Sequence, residues 1–531
     1  MRVATLTRRL MSARSGLAYA RALLAEHVTA ESAMAAVRAR MASREQKFLE
    51  MLERTVFGFP DSPYRPLLEA AGYDVPQVRS LVGQVGIEGA LRVLGADGVY
   101  ISIEEFKGLR EARRGGRVFR FSEKQFHNPL IRSGLPASSG GTRSGGIATT
   151  ISVANHRMGT EHLALALAAY GVQDVPVVVW LSSPGASVWG VLAFAAMWNS
   201  PPRWFTQLPP RIKGREHTHP YYRAFRAWAR LRGLRLPVVD HAPPGEEGKV
   251  LHWITQEARG RCLVFTTPSS SLRLALAAQA STTSLQGVTF LTIGEPLTPA
   301  KLEAIRRVGA RAFSSLGFTE FGRATYGCAS PAGPDDTHIC RDAVAVIQRR
   351  RAADHLGSEV DALLFTTLQP DARRILLNME TGDYATMHER QCGCLLDRLG
   401  WTDHLESIRS FEKLNAEGRL FFGSHLITLV EEILPAHFGG DPTDYQLVEA
   451  EDEQGFTRLS VLIHPRLGPL DEEEVLERVQ RALAPADGTT AAVWSQRGTI
   501  RVRRSPPLMT GAGKLMPLHH LGPDGQRAFP N

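Results

Sequence analysis

Four short segments of this chain bring together residue types suited to gripping a polyanion. The first, Ser138-Ser139-Gly140-Gly141-Thr142-Arg143-Ser144-Gly145-Gly146, is rich in glycine and hydroxyls. Such a loop offers backbone N–H groups and small donors without side-chain obstruction, which suits the oxygens of a phosphate chain. It lacks the Gly-Lys-Ser/Thr ending of a Walker A loop and the Gly-x-Ser-x-Gly order of a nucleophile elbow. A surface loop can have the same composition, so alone it leaves both readings open. The second segment, Ser315-Leu316-Gly317-Phe318-Thr319-Glu320, follows Gly294-Glu295-Pro296-Leu297. Glu320 can serve as a magnesium ligand with the Thr319 hydroxyl beside it, because magnesium takes one or two carboxylates plus phosphate oxygens. A turn closing a buried strand is the plainer reading.

The third, Thr381-Gly382-Asp383, comes after the apolar run Ile375-Leu376-Leu377. An acidic side chain just past a strand end is a common place to hold a ribose diol. The fourth is Pro507-Leu508-Met509-Thr510-Gly511-Ala512-Gly513-Lys514. Only eight lysines occur in a chain that otherwise uses arginine. A lysine behind two glycines can therefore be a compact charge delivered to a site, a task arginine does not share. A solvated loop lysine is the alternative.

The elements that must carry these segments fall into three textures. Residues 1–110 read as helical, with Leu17, Tyr19, Ala20, Leu23 and Leu24 at helical spacing. Beyond the Gly/Ser segment, apolar runs (Val175–Leu181, Leu263–Thr267, Val288–Ile293, Ala362–Thr367) alternate with helical stretches such as Arg157–Tyr170 and Thr298–Val308. This predicts an α/β domain around a largely buried sheet. Near Arg409 the pattern changes. Leu459–Ile463, Ala491–Trp494 and Thr499–Val502 read as strands, and Asp471 caps a helix through Leu483 with Val475 and Val479 on one face. The expected division is 1–110 (helical), 111–408 (large α/β domain) and 409–531 (small α+β domain), with a site in the cleft between the large and small parts.

Composition narrows the class. A chain of 531 residues, 43% hydrophobic, supports several domains at roughly 100–200 residues each. The net charge of +8 comes mainly from arginines spread among acids, without the clustered basic face that nucleic acid requires. No apolar run reaches the ~18 residues of a membrane span, and the stretch from His162 to Leu181 is broken by Gly171, Gln173 and Asp174. Arg2, Arg8 and Arg9 precede no apolar core, so no secretory signal is read. The expectation is a cytoplasmic protein with no nucleic-acid or membrane partner; a homodimer stays open.

In this order the four segments resemble the adenylate-forming superfamily, which includes acyl-CoA synthetases, nonribosomal peptide adenylation domains and luciferases. The resemblance covers about residues 130–531. Ser138 to Gly145 resembles its phosphate loop, Gly317–Glu320 its Tyr-Gly-x-Thr/Ser-Glu, Thr381–Asp383 its Thr-Gly-Asp, and Gly511–Lys514 its C-terminal Gly-Lys loop. Within it, the chain is similar to phenylacetate-CoA ligases and acyl-protein synthetases. Those carry a Cys/His insert, and here Cys328, His338 and Cys340 precede Cys392-Gly393-Cys394. The resemblance assigns a structural zinc site to Cys328, His338, Cys392 and Cys394, with Cys340 as a competing ligand and reduced thiols as the alternative. Five cysteines in so long a chain argue against a disulfide scaffold.

The resemblance implies a large N-terminal adenylate-forming α/β domain with a helical N-terminal region, plus a small mobile C-terminal α+β domain. It implies ATP and Mg²⁺ as cofactors, a small carboxylic acid as substrate, and coenzyme A or a carrier protein as acceptor. Ser138, Ser139, Gly140, Gly141, Thr142, Arg143, Ser144 and Gly145 would cradle phosphates, and Gly294, Glu295 and Pro296 would line the adenine pocket with Leu316 and Gly317. Thr319 and Glu320 would act at the magnesium, Asp383 and Arg409 at the ribose, and Lys514 between the carboxylate and the α-phosphate. Leu316 stands where the family has an aromatic ring, and Gly141 where it has a hydroxyl. The Gly-Arg-x-Asp-Asp hinge is poorly matched by Arg409-Ser410-Phe411-Glu412-Lys413. The implied activity is acid–thiol ligation; an acyl-protein or carrier-protein synthetase, or an inert adenylate-fold binding protein, are the alternatives. Trp180 to Trp198, with Val188, Trp189 and Phe194, can wall an acyl pocket or simply pack a core. His156, His217 and His219 are read as histidines without catalytic duty.

Overall fold

The computed structural model describes residues 15–138, 148–181, 184–198, 201–207, 211–212, 215–216, 226–231, 233, 235–352, 359–410, 423–451, 457–483, 500–509 and 515–521. The N-terminal region is helical as its spacing predicts. Ala30–Ala42 (α1) starts on a Thr29 capping box, Arg44–Leu52 (α2) follows, and Val75–Ala96 (α3) starts on an Asp74 capping box. In each box the cap and third-residue side chains satisfy backbone N–H groups that a helix start leaves free.

The alternating segment forms a six-stranded parallel sheet. Its strands are Val177–Leu181 (β1), Arg203–Thr206 (β2), Val239–His241 (β3), Cys262–Thr266 (β4), Val288–Ile293 (β5) and Arg311–Ser315 (β6), in spatial order β6-β5-β4-β1-β2-β3. Side chains alternate faces along each strand. Val177, Val179, Leu263, Phe265, Leu291 and Ile293 enter one core, while Val178, Trp180, Val264, Val288 and Phe290 enter another. Burial on both faces explains why β1, β4 and β5 read as largely apolar runs. The helices Val153–Ala169 (α4) and Pro184–Met197 (α5) contribute to the first core, Pro268–Ala280 (α6) and Pro299–Arg307 (α7) to the second. Both α6 and α7 begin Thr-Pro: the threonine hydroxyl accepts a backbone N–H, and proline needs no donor in the first turn.

A short hairpin, Gly317–Phe318 (β7) with Gly322–Arg323 (β8), leads into a second sheet that is antiparallel. Its strands are Thr325–Gly327 (β9), Thr337–Ile339 (β10), Val344–Ala352 (β11), Glu359–Thr367 (β12), Met379–Glu389 (β13) and Asp403–Ser410 (β14), ordered β9-β10-β14-β13-β12-β11. Helices α2 and α3 share a core with it through Phe48, Leu91, Val344 and Phe365. The strand β14 runs through Arg409 to Ser410.

The C-terminal unit has a four-stranded sheet: Tyr445–Glu451 (β15), Thr457–Ile463 (β16), Ile500–Arg504 (β17) and Leu518–Leu521 (β18), ordered β17-β16-β15-β18. The helix Glu472–Leu483 (α8) buries Val475 and Val479 in its core. The strand expected at Ala491–Trp494 lies outside the described residues. Among those described, no helix is long and apolar enough to cross a membrane.

Candidate functional site

Three neighbouring parallel strands, β4, β5 and β6, end along one edge of the sheet, and each hands over to a segment of interest. Ligands of open α/β sheets bind beyond such carboxyl ends. After β5, Gly294 turns with φ +79° and Glu295 follows. The Glu295 carboxylate accepts hydrogen bonds from the backbone N–H of Ser269 (3.0 Å) and from its hydroxyl. It thus sits at the start of α6, where a helix favours negative charge. Its other oxygen is buried and unpartnered among the described residues. Pro296 follows it before the Thr298 cap of α7.

After β6, Ser315 donates to the Thr325 carbonyl (2.6 Å) and the Leu316 N–H donates to the Thr325 hydroxyl (3.1 Å). These bonds fold the chain back as the β7–β8 hairpin. A Cβ on Gly317 would lie 2.6 Å from the Gly322 carbonyl, so the close turn requires glycine. Phe318 packs edge-on against Phe365, 4.9 Å away. Thr319 and Glu320 occupy the tip. Glu320 is buried, and burial pushes its carboxyl above the usual range, partly offset by its own backbone N–H and by Arg374. Two arginines that the sequence reading passed over converge here. Arg373 donates to Asn155 Oδ1 (2.9 Å) and to the Thr319 carbonyl (3.4 Å), and Arg323 closes the hairpin. The pairs Gly322-Arg323 and Arg373-Arg374 were the only sequence signs of them.

Asp383 corrects an expectation. It does not follow a strand end but lies within β13, where Gly382 takes φ +85° beside irregular register with both neighbouring strands. Asp383 accepts from the Thr381 hydroxyl (3.1 Å). Across the ladder Asp383 faces Ser410 and Tyr384 faces Arg409, so Asp383 and Arg409 are one register step apart. Arg409 donates to Asp335 (2.9 Å), which also accepts the N–H groups of Ser407 and Ile408.

Of the Gly/Ser segment, Ser138 ends a strand (Leu135–Ser138) paired with Ala148–Ile151, Ser138 opposite Ala148. Ser139, Gly140, Gly141, Thr142, Arg143, Ser144 and Gly145 lie outside the described residues, as do Lys514, His217 and His219. The arms flanking Lys514 are described. Met509 and Leu515 form an antiparallel bridge. The buried Gln446 side chain clasps both arms, donating to Leu508 O and Met516 O (2.9 Å each) and accepting from the Leu508 N–H. Leu515, Met516 and Pro517 line a small cavity whose other wall includes Ser269 and Lys301 of the larger part. His156 is a core residue: it contacts the Tyr19 hydroxyl (2.9 Å) and Trp189 O (3.1 Å), and burial pulls it down to about 3.

The Cys/His segments meet on the antiparallel sheet. Ligand atoms of Cys328, His338, Cys392 and Cys394 all lie within 4.8 Å of one another. Cys328 and Cys392 sulfurs are 3.5 Å apart, and His338 Nε2 is 3.6 Å from Cys392 and 3.2 Å from Cys394. Zinc bonds of ~2.3 Å to sulfur and ~2.0 Å to nitrogen give tetrahedral edges of about 3.5–3.8 Å, so the donor set fits that ion. His338 Nδ1 lies 2.6 Å from Trp401 O, which fixes that nitrogen as the donor and leaves Nε2 facing the sulfurs as the lone pair. The Cys394 thiol is held well below its usual range, first by a hydrogen bond from Cys328 and then by His338, while Cys328 is pushed up. Cys340, the competing ligand, is not part of this group: it is fully buried with its N–H on Ala324 O, and burial raises its thiol.

No family model matches the chain, and no curated protein matches it. In fold it is similar to solved AMP-forming ligases. One is 2-hydroxyisobutyryl-CoA ligase in complex with 2-HIB-AMP and CoA, at 14% identity and TM-score 0.45, covering 94% of this chain and 92% of that one. Another is E. coli MenE with bound OSB-AMS, at 13% identity and TM-score 0.41, covering 76% and 71%. A third is an AMP-forming acyl-CoA synthetase/AMP-acid ligase II-like protein from Dyadobacter fermentans, at 12% identity and TM-score 0.30, covering 72% and 87%.

Proposed function

We propose that the chain activates a small carboxylic acid with ATP and passes the acyl group to a thiol, with coenzyme A as the acceptor. A carboxylate oxygen attacks the α-phosphorus, the bond to the β-phosphate breaks, and pyrophosphate leaves. The thiolate then attacks the acyl carbon and AMP leaves. The protein's share is alignment and charge neutralisation. The observation that carries this reading is the position of Leu515–Pro517, next to the proposed lysine, against Ser269 at the sheet edge where Glu295 also sits.

On this reading residues 1–110 and 111–408 form the larger body and 409–531 the small domain. Ser138–Gly145 cradle the leaving phosphates, while Gly294, Glu295, Pro296, Leu316 and Gly317 surround the base. Asp383 and Arg409 serve the ribose. Glu320, with Thr319, holds the magnesium, which when bound neutralises phosphate charge. Cys328, His338, Cys392 and Cys394 hold a structural zinc. Lys514 bridges the carboxylate and the α-phosphate.

The test is acid-dependent exchange of labelled pyrophosphate into ATP, over a panel of carboxylic acids. Lys514→Ala is expected to lower exchange at least about a hundredfold with ATP binding retained. Wild-type exchange in that variant removes Lys514 from the chemistry; no exchange with any acid removes the reading itself. Adding coenzyme A or a phosphopantetheinylated carrier to an active acid then identifies the acceptor.

A further inference from the structure

The β7–β8 hairpin has a second use for its glycines. A Cβ on Gly317 would lie 3.0 Å from an Arg323 guanidinium nitrogen, and one on Gly322 (φ +114°) 3.2 Å from Arg373 Nη2. Each glycine lets a guanidinium lie against the backbone of the hairpin. Arg323 also lies over the Trp189 and Phe265 rings, 5.8 and 5.9 Å from their centroids. Arg373 is buried, and its hydrogen bonds go to neutral acceptors, Asn155 Oδ1 and the Thr319 carbonyl.

Among the described residues, neither Arg323 nor Arg373 has a carboxylate within ion-pair distance. Several other enclosed arginines do. Arg374, the next residue, reaches Glu123 at 2.7 Å; Arg114 reaches Glu105 at 2.8 Å; Arg349 and Arg351 share Glu380 at 2.6 Å each. Desolvating unpaired cations is unfavourable, and a fold that keeps two together gains only when an anion joins them.

We propose that Arg323 and Arg373 form a two-guanidinium clamp for an oxyanion of the reactants, a phosphate or a carboxylate, seated between the Trp189–Phe265 wall and the Gly317–Glu320 turn. The planar forks suit bidentate recognition of either group. That the anion belongs to ATP or to the acid rests on the adenylation reading; that the clamp binds an oxyanion does not.

Titration calorimetry on the full chain tests this without turnover, using inorganic pyrophosphate, succinate and, as a monoanionic control, butyrate. The wild type is expected to bind pyrophosphate or succinate, and Arg323→Met and Arg373→Met to weaken that binding at least about tenfold, with lysine at either position recovering only part because a point charge lacks the fork. Loss confined to pyrophosphate assigns the clamp to the phosphates, and loss confined to succinate, with butyrate unmoved, assigns it to a second carboxylate on the acid. Melting of Arg373→Met is expected to be unchanged or higher, unlike Arg374→Met, which breaks an ion pair. If neither probe binds the wild type at millimolar concentration, or both bind the folded variants as well as the wild type, the clamp is overturned. Should the methionine variants not fold, wild-type affinity in both lysine variants overturns it equally. Pyrophosphate exchange measured alongside keeps failure of the clamp separate from failure of adenylation.

Discussion

The two halves of the larger part treat buried charge in opposite ways. Around the antiparallel sheet, buried charges stand in ion pairs. Asp342 is buried and accepts from Arg40 Nε (2.7 Å) and His162 Nε2 (2.9 Å), while Arg40 also reaches Glu161. Asp336 is shared by His404 and Arg390, and Asp335 holds Arg409. At the carboxyl edge of the parallel sheet, the hydrogen bonds of Arg373 go to neutral groups, neither it nor Arg323 has an ion-paired carboxylate among the described residues, and burial raises the Glu320 carboxyl. Closed networks define a fold, whereas an open, desolvated set is what a ligand completes. The contrast is therefore a guide to function as much as to stability.

The largest way to break the contrast is at Asp342. Replacing it by alanine leaves Arg40 and His162 buried without their carboxylate, and removal of one partner from a buried pair costs about 3–5 kcal/mol. Urea unfolding is expected to show that loss, and a loss below about 1 kcal/mol contradicts the closed-network picture. A pH profile sharpens it. Burial alone would raise the Asp342 carboxyl, but His162 and then Arg40 outweigh burial and hold it below the usual range. A depressed folded pKa contributes stability above the unfolded value of about 3.9 and loses it as pH falls through the folded value. Wild type should therefore lose this contribution only on acidification below about pH 4, and Asp342→Ala should lack that component.

Metal removal is the next step down. Metal analysis is expected to find about one zinc per chain, absent from Cys394→Ser. Binding to the folded form alone is worth about 2.7 kcal/mol when free zinc stands a hundredfold above its Kd, so chelation should lower the melting temperature. A metal-free preparation with unchanged melting removes zinc from the cluster.

What the sequence made legible follows the same division. Regular strands were readable because β1, β4 and β5 alternate between two cores and are apolar at every position but Thr266, Thr289 and Thr292. Helix starts at Thr267-Pro268 and Thr298-Pro299 carry local capping chemistry, and the Cys/His pattern is a matter of residue type. Asp383 was misjudged because a glycine-bearing irregularity inside β13 looks, in one dimension, like the end of a strand. Arg373 and Arg374 are indistinguishable in sequence. Only the approach of Glu123, some 250 positions away, decides which is neutralised. Long-range pairing of charge leaves no periodic trace in a chain.

The smallest effect belongs to the contact between the two parts of the molecule. Glu431, in the π-helical turn Leu429–Ile433, accepts from Lys301 Nζ (2.8 Å) and from the Thr298 hydroxyl that caps α7. Both charged side chains are almost fully enclosed, at 5% and 4% exposure, so this pair is a closed network placed beside the open site. Glu431→Gln keeps an acceptor for Thr298 but strips Lys301 of its counter-charge, a loss on the order of 1–2 kcal/mol. Because the cost falls at the junction, it is expected as faster amide exchange through residues 423–438 rather than as global unfolding. The same change loosens Leu515–Pro517 from Ser269, which line one cavity with Glu431, and so is expected to slow pyrophosphate exchange a few-fold while ATP affinity holds. Unchanged exchange at both levels would make Glu431 a packing residue and leave the docking of the small part to its apolar contacts alone.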